Sequence, residues 1–178
     1  MEFGIDYSEA TEGSGLLPEG KYEVIIKYAG EDATKNKTVY INVTCVIRND
    51  VDQKYQNKYL WHSLWHRKEP SQADLAVGGY SIKQIQTLSK AAGLPNGKKY
   101  PTLEEWCIDL KDKAIQVTIQ HEEYPVGSGT MQTQVQYVNP SKYPECNHMW
   151  KTKEDSAAIS ADDNNDFVEI AGDDDLPF

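Results

Sequence analysis

Apolar side chains alternate with polar ones in five stretches of the chain and recur every three to four residues in two others. Residues 21–28 place Tyr22, Val24, Ile26 and Tyr28 on one face of a strand, after the turn signal Leu16-Leu17-Pro18-Glu19-Gly20. Residues 38–48 put Val39, Ile41, Val43, Cys45 and Ile47 on one face and Tyr40, Asn42, Thr44, Val46 and Arg48 on the other. That is long for a strand and suits one that bends between the two halves of a barrel. Residues 59–66 form a third strand, in which Trp61 and Trp65 share one face and Leu60 and Leu64 the other. The period then changes. Ser81 caps a helix whose Ile82, Ile85, Leu88, Ser89 and Ala92 share a stripe, closed by Gly93 and Pro95. Thr102 and Glu105 make a capping-box pattern for a short helix over 103–110 that buries Leu103, Trp106, Cys107 and Leu110. Alternation returns at 114–121, with Ile115, Val117 and Ile119 inward. It returns again at 131–138, where Met131, Thr133, Val135 and Tyr137 face away from Gln132, Gln134 and Gln136.

Three strands, a helical insert and two strands give the connectivity of an all-β, five-stranded Greek-key barrel of the oligonucleotide-binding (OB) type. In that fold the helix lies between the third and fourth strands and plugs the barrel. The predicted organisation is an acidic N-terminal arm over 1–19, the OB domain over 20–150 and a C-terminal tail over 151–178. Residues 153–175 are rich in Asp, Asn, Ser and Ala and poor in large apolar groups. Such a composition predicts disorder, because too little surface can be buried to offset the entropy of ordering.

Charge sharpens this division. The 178-residue chain has 18 Lys and Arg against 28 Asp and Glu, a formal net charge of −10 that by itself argues against a nucleic-acid partner. The acidity sits in the ends. Residues 151–178 hold nine acids and two lysines, residues 1–20 five acids and no base, and residues 21–150 have 16 bases against 14 acids. The body is therefore mildly basic. No run of about 18 apolar residues occurs, so neither a membrane span nor a membrane partner is expected. The acidic start, Met1-Glu2-Phe3-Gly4-Ile5-Asp6, lacks the basic and apolar regions of a signal peptide. Three widely spaced cysteines, Cys45, Cys107 and Cys146, suit a reducing cytoplasm better than a disulfide framework. A soluble intracellular protein is the expectation.

Sequence-neutral binding of single strands needs cations for phosphates and aromatic faces for bases. Aromatics gather at the second and third strands: Tyr40, Tyr55, Tyr59, Trp61 and Trp65. Lys27, Lys35, Lys37, Arg48, Lys54, Lys58, Arg67 and Lys68 lie close to them in sequence. In OB folds this face lines the ligand groove. Each residue alone has a plainer reading. One pair on the third strand, tryptophans or leucines, must be core, and alternation does not say which. Tyr40 is the better candidate, because Val39 and Ile41 claim the core. Tyr22 and Trp106 read as core, and a single lysine is ordinarily a solubilising charge.

The last six residues, Asp173-Asp174-Asp175-Leu176-Pro177-Phe178, set two apolar side chains behind three acids. This tip resembles the Asp-Asp-hydrophobe-Pro-Phe close of bacterial single-stranded DNA-binding proteins. The body resembles instead a family of phage proteins, long of unknown function and later treated as phage single-stranded DNA-binding proteins. That resemblance covers most of 17–140. It rests on Leu17-Pro18-Glu19-Gly20-Lys21-Tyr22-Glu23-Val24, on the strand from Leu60 to His66 with its Leu64-Trp65, and on Ala91-Ala92-Gly93-Leu94-Pro95. Leu110-Lys111-Asp112-Lys113-Ala114 and Tyr137-Val138-Asn139 add to it. The family pattern has Gly where this chain has Asp112, so that turn is expected to differ.

The resemblance implies a phage protein in the cytoplasm of the bacterial host, binding single-stranded DNA without sequence preference during replication, recombination and repair. It also implies no cofactor and admits a homo-oligomer. The tip implies docking of Asp173, Asp174, Asp175, Leu176, Pro177 and Phe178 on a helicase, polymerase, recombinase or nuclease. Phe178 would fill an apolar pocket while the acids meet basic side chains. The anionic tail is further expected to compete with DNA for the groove. The competing expectation is an OB-fold recombination mediator or protein-binding adaptor with little intrinsic DNA affinity.

No enzyme is expected. His62 and His66 share a strand face but stand about 13 Å apart by strand rise, too far for one ion. Cys146-Asn147-His148 lacks partners at zinc-site spacing, and Gly78-Gly79 lacks the lysine of a nucleotide-binding loop. Cys107 reads as helix core. Glu104, Glu105, Asp109, Glu122 and Glu123 read as helix N-terminal charges and solvated strand ends. Neither a metal nor a cofactor is expected.

Overall fold

The computed structural model describes residues 15–151 of the chain. Most of the predicted N-terminal arm, and Asp173, Asp174, Asp175, Leu176, Pro177 and Phe178 of the tip, lie outside the described residues. The chain divides into two units, Met1–His148 and Met149–Phe178, and every element below belongs to the first.

Five strands and three helices follow the predicted order: β1 (Gly20–Ala33), β2 (Val39–Ile47), β3 (Tyr59–Trp65), α1 (Gln72–Leu75), α2 (Ile82–Ala91), α3 (Leu103–Leu110), β4 (Ala114–Glu123) and β5 (Met131–Pro140). All pairings are antiparallel, in the order β3-β2-β1-β4-β5. The long β1 thus pairs with β2 along its second half and with β4 along its first, while the edges β3 and β5 approach each other. This is the OB-type Greek key, with the helices entering between β3 and β4.

The inner face is the one alternation predicts. Val24 and Ile26 of β1, Ile41, Val43, Cys45 and Ile47 of β2, Leu60 and Leu64 of β3, and Ile115, Val117 and Ile119 of β4 are buried together. The helices close this core with Ile85, Leu88, Trp106 and Leu110. Each helix starts where its cap residue dictates. Ser81 Oγ accepts the backbone N–H of Gln84, and Thr102 Oγ1 that of Glu105. α2 stops at Gly93, whose φ of +70° lets the Leu94 amide reach back to the Ser89 carbonyl at 3.0 Å. Buried Trp106 satisfies its indole N–H on Ser89 Oγ at 2.8 Å. Asp112 takes the left-handed conformation that a glycine would favour, at φ +63°, and its amide donates to the Ile26 carbonyl at 2.8 Å.

Two bulges correct the alternation. In β1, Ile26 lies opposite Cys45 but Tyr28 lies opposite Thr44, so Lys27 is an extra residue and the phase flips beyond it. Ala29 takes the inward position and Tyr28 turns out, half exposed. In β5, Val135 pairs with Ile119 and Tyr137 with Thr118, which leaves Gln136 as the extra residue. Val138 then turns toward the core and Tyr137 faces solvent. Both tyrosines, which alternation groups with the buried Ile26 and Val135, stand on the outside.

Candidate nucleic-acid interface

The register of the first three strands sets out the outer face in rows. Asp32, Tyr40 and Trp65 form one; Gly30, Asn42 and Ser63 the next; Tyr28, Thr44 and Trp61 a third; Ile25, Val46 and Tyr59 a fourth. Because Leu60 and Leu64 are sealed in the core, both indoles point outward. Trp61 is 58 % exposed and Trp65 47 %. This answers the question that alternation left open on β3. The tryptophans are the surface pair.

The rings support one another. Tyr40 stacks on Trp65 with centroids 4.6 Å apart and planes 25° apart, and Tyr59 lies beside Trp61 at 6.3 Å and 22°. Lys27, the bulge residue, donates from Nζ to Tyr59 Oη at 2.5 Å with its charge 4.9 Å from the ring centroid. Lys58 stands 5.3 Å over the Tyr55 ring, and Tyr55 meets the edge of buried Tyr22 at 6.3 Å. Tyr22 is core, as its phase predicts. Lys35 and Lys37 are exposed in the loop between β1 and β2, where Lys37 adopts φ +61°, and Lys54 and Lys68 are exposed as well. Arg67 is half exposed and lies 3.7 Å from Asp74.

Arg48 is the exception among the predicted cations. Its side chain is 0 % exposed. It forms a two-pronged pair with Asp50 (Nε–Oδ1 2.9 Å, Nη2–Oδ2 2.5 Å) and donates to Ser141 Oγ and to the Tyr143 and Glu145 carbonyls. That hydrogen-bonded pairing holds the Asp50 carboxyl down at about 2. Buried Glu23 extends the network, accepting from Gln116, Ser141 and the Lys142 amide. Arg48 therefore fastens the segment after β5 to the end of β2 and offers nothing to a phosphate. A charged residue one step past a strand reads from sequence as surface. The carbonyls that surround it come from residues about a hundred positions away.

The histidines are also spoken for. His62 faces inward from β3, and burial lowers its ring to about 4. His66 stacks on Tyr80 at 4.0 Å, with Nδ1 3.1 Å from the Val39 carbonyl. Among the described residues no cluster of three His, Cys, Asp or Glu could hold a metal ion. The sequence reading missed Tyr28, Tyr137 and Tyr124, all exposed. The first two are hidden by bulges that leave no mark in the alternation.

The sequence matches, over residues 3–158, the family described as Protein of unknown function (DUF669). No curated protein matches it. Among solved structures, a chain of yeast RPA bound to ssDNA is similar at 8% identity and a TM-score of 0.32, over 86% of this chain and 89% of that one.

Proposed function

The chain belongs to the DUF669 family, whose name assigns no activity, and from the geometry of its sheet we propose that it binds single-stranded DNA without strict sequence preference. The observation that carries this reading is the outward strip of Tyr59, Trp61 and Trp65 on β3, backed by Tyr40 and flanked by Lys27, Lys35, Lys37, Lys58 and Lys68. Large rings exposed on a sheet are costly in water unless they meet a ligand. Each stacked base contributes about 1–3 kcal/mol, so two or three rings and several phosphate contacts suffice for useful affinity. The resemblance in sequence extends the proposal to a phage protein that protects single strands in replication or recombination and recruits partners through Asp173–Phe178.

Polarisation binding to labelled oligo-dT and to duplex, over a salt series, tests it. Oligo-dT should be preferred, with affinity falling at a log–log slope of about −0.7 per phosphate neutralised. Equal and negligible binding to both would favour an adaptor that uses the same aromatic face for a protein.

A further inference from the structure

We infer that copies of this protein line up head to tail, the tip of the β4–β5 hairpin of one entering a lysine-bearing cavity beside α2 and α3 of the next. The contact goes beyond the single-strand reading, and only its consequence for DNA rests on that reading.

The hairpin outruns the sheet that supports it. β1 begins at Gly20, opposite Ile119, so the rungs from Gln120–Gln134 to Glu123–Met131 join β4 to β5 alone. Only the base is held from outside, where Glu19 Oε1 accepts the His121 amide at 2.8 Å and the Leu17 carbonyl lies 2.6 Å from His121 Nε2. A bare two-stranded ribbon is marginal in water, yet this one has a shaped tip. Tyr124 N–H donates to the Thr130 carbonyl at 2.9 Å, Ser128 N–H to the Pro125 carbonyl at 3.0 Å, and Gly129 N–H to Glu123 Oε1 at 2.6 Å. On that tip Tyr124 is 62 % exposed, Val126 90 % and Met131 46 %. Apolar groups gathered in this way on a surface mark a contact. Nucleic acid does not suit it, because residues 114–140 contain Glu122 and Glu123 and no Lys or Arg to meet a phosphate.

The cavity has the complementary character. Its volume is about 1020 Å³, and Val77, Leu94, Leu103 and Trp106 give it apolar walls. Lys90 and Lys98 line it as well. Lys98 is held to Asp109 at 2.7 Å, whereas Lys90 is exposed and in no ion pair among the described residues. Residues 75–103, which furnish all of the lining except Trp106, include Lys83, Lys90, Lys98 and Lys99 and no Asp or Glu. Glu104 and Glu105 follow on α3, outside the lining. Among the described residues that line the cavity none comes from 114–140, so the tip leaves its own chain's cavity unfilled.

An apolar tip with two carboxylates thus has its counterpart, apolar walls with two ammonium groups, on a different surface of the same chain. A contact between unlike surfaces repeats from copy to copy, and where rotation does not close a ring it extends as a row. Copies on one strand are held at high effective concentration, so the row strengthens binding to long single strands.

Sedimentation velocity of the full chain without DNA tests the contact. Polarisation titrations of oligo-dT of about 15 and about 60 nucleotides test its consequence. Association should grow with protein concentration, and the longer strand should bind about tenfold tighter along a sigmoid curve. Val126→Gln should abolish the association and the sigmoid shape and leave affinity for the shorter strand within about twofold. Lys90→Glu should abolish the association too, and adding Glu122→Lys to it should restore it, which also shows that the single variant folds. No association at any concentration, association that survives Val126→Gln, or a double variant that stays apart would overturn the contact. Loss on Lys90→Glu but not on Val126→Gln would give the cavity to another segment and overturn it as well. Weakened binding of the shorter strand by Val126→Gln would put the tip on DNA instead. Failure of the unaltered protein to bind either strand would overturn the single-strand reading, and sedimentation alone would then decide the contact.

Discussion

Tyr40 and Trp65 sit directly opposite each other on β2 and β3, and their rings stack at 4.6 Å. The pair is held by the sheet register alone, so the indole is posed before any ligand arrives, and the entropy of fixing it is met in folding. Trp65→Ala should weaken oligo-dT binding roughly tenfold, within the range for removing one stacking platform. Tyr40→Leu, which leaves the indole in place but unsupported, should cost only about two- to fourfold. Polarisation titrations, with thermal melts as the control for folding, distinguish the two.

The two kinds of cation should separate cleanly. Replacing Lys35 and Lys37 together by Ala should flatten the log–log salt dependence of binding by about 0.7 for each phosphate no longer neutralised, with little change in stability. Arg48→Met should leave the salt slope unchanged and cost on the order of 3–5 kcal/mol of stability, because Asp50 and a set of buried acceptors are left without their donor. Urea unfolding of both variants checks this. A shallower salt slope in Arg48→Met would contradict its burial.

Tyr28 and Tyr22 have the same position in the alternation and opposite fates. Tyr28→Ser should change stability by no more than about 0.5 kcal/mol, as for a surface site, and should weaken single-strand binding. Tyr22→Ser removes a buried ring whose hydroxyl donates to the Pro18 carbonyl at 2.7 Å, and should cost on the order of 3 kcal/mol or more. Paired denaturation curves decide it.

Stability should fall on mild acidification through His62. Its pKa is about 4 in the folded chain, below the ordinary 6.5, so between those values the unfolded chain binds more protons. The contribution is complete above about pH 6.5 and is lost as pH falls toward 4. His148, lowered by burial as well, acts in the same direction. Asp50, held at about 2, gives up its contribution only below about 3.8. Denaturant midpoints measured from pH 7.5 to 4.5 should therefore decline, and His62→Gln should flatten part of the decline.

Neutralising the nine acids of 151–178 to amides should tighten oligo-dT binding at low salt, because it removes most of the net negative charge that repels a polyanion. The gain should fade near 1 M salt, where the screening length is about 3 Å. Affinity unchanged at every ionic strength would remove the acidic segment from the account of DNA binding.

Much of this protein can be read from local pattern. Alternation gave the inner face of β2 and β4, and cap residues gave the starts of α2 and α3, because each depends on neighbours within four positions. The order of strands and helices implied the Greek key through the place of the helical insert, between the third and fourth strands. Charge along the chain separated a mildly basic body from acidic ends by residue type alone.

Tertiary structure decided the rest. Which side of β3 faces water depends on what packs against Leu60 and Leu64, and those partners lie on other strands and helices. Lys27 and Gln136 became bulges only because the facing strand skips a residue there, and that skip placed Tyr28 and Tyr137 outside. Arg48 went inside because carbonyls from residues 143 and 145 and the carboxylate of Asp50 replace its water. Periodicity reports how side chains alternate along one segment; the sense of that alternation, and the cost of burying a charge, are set by groups that only the folded chain brings near.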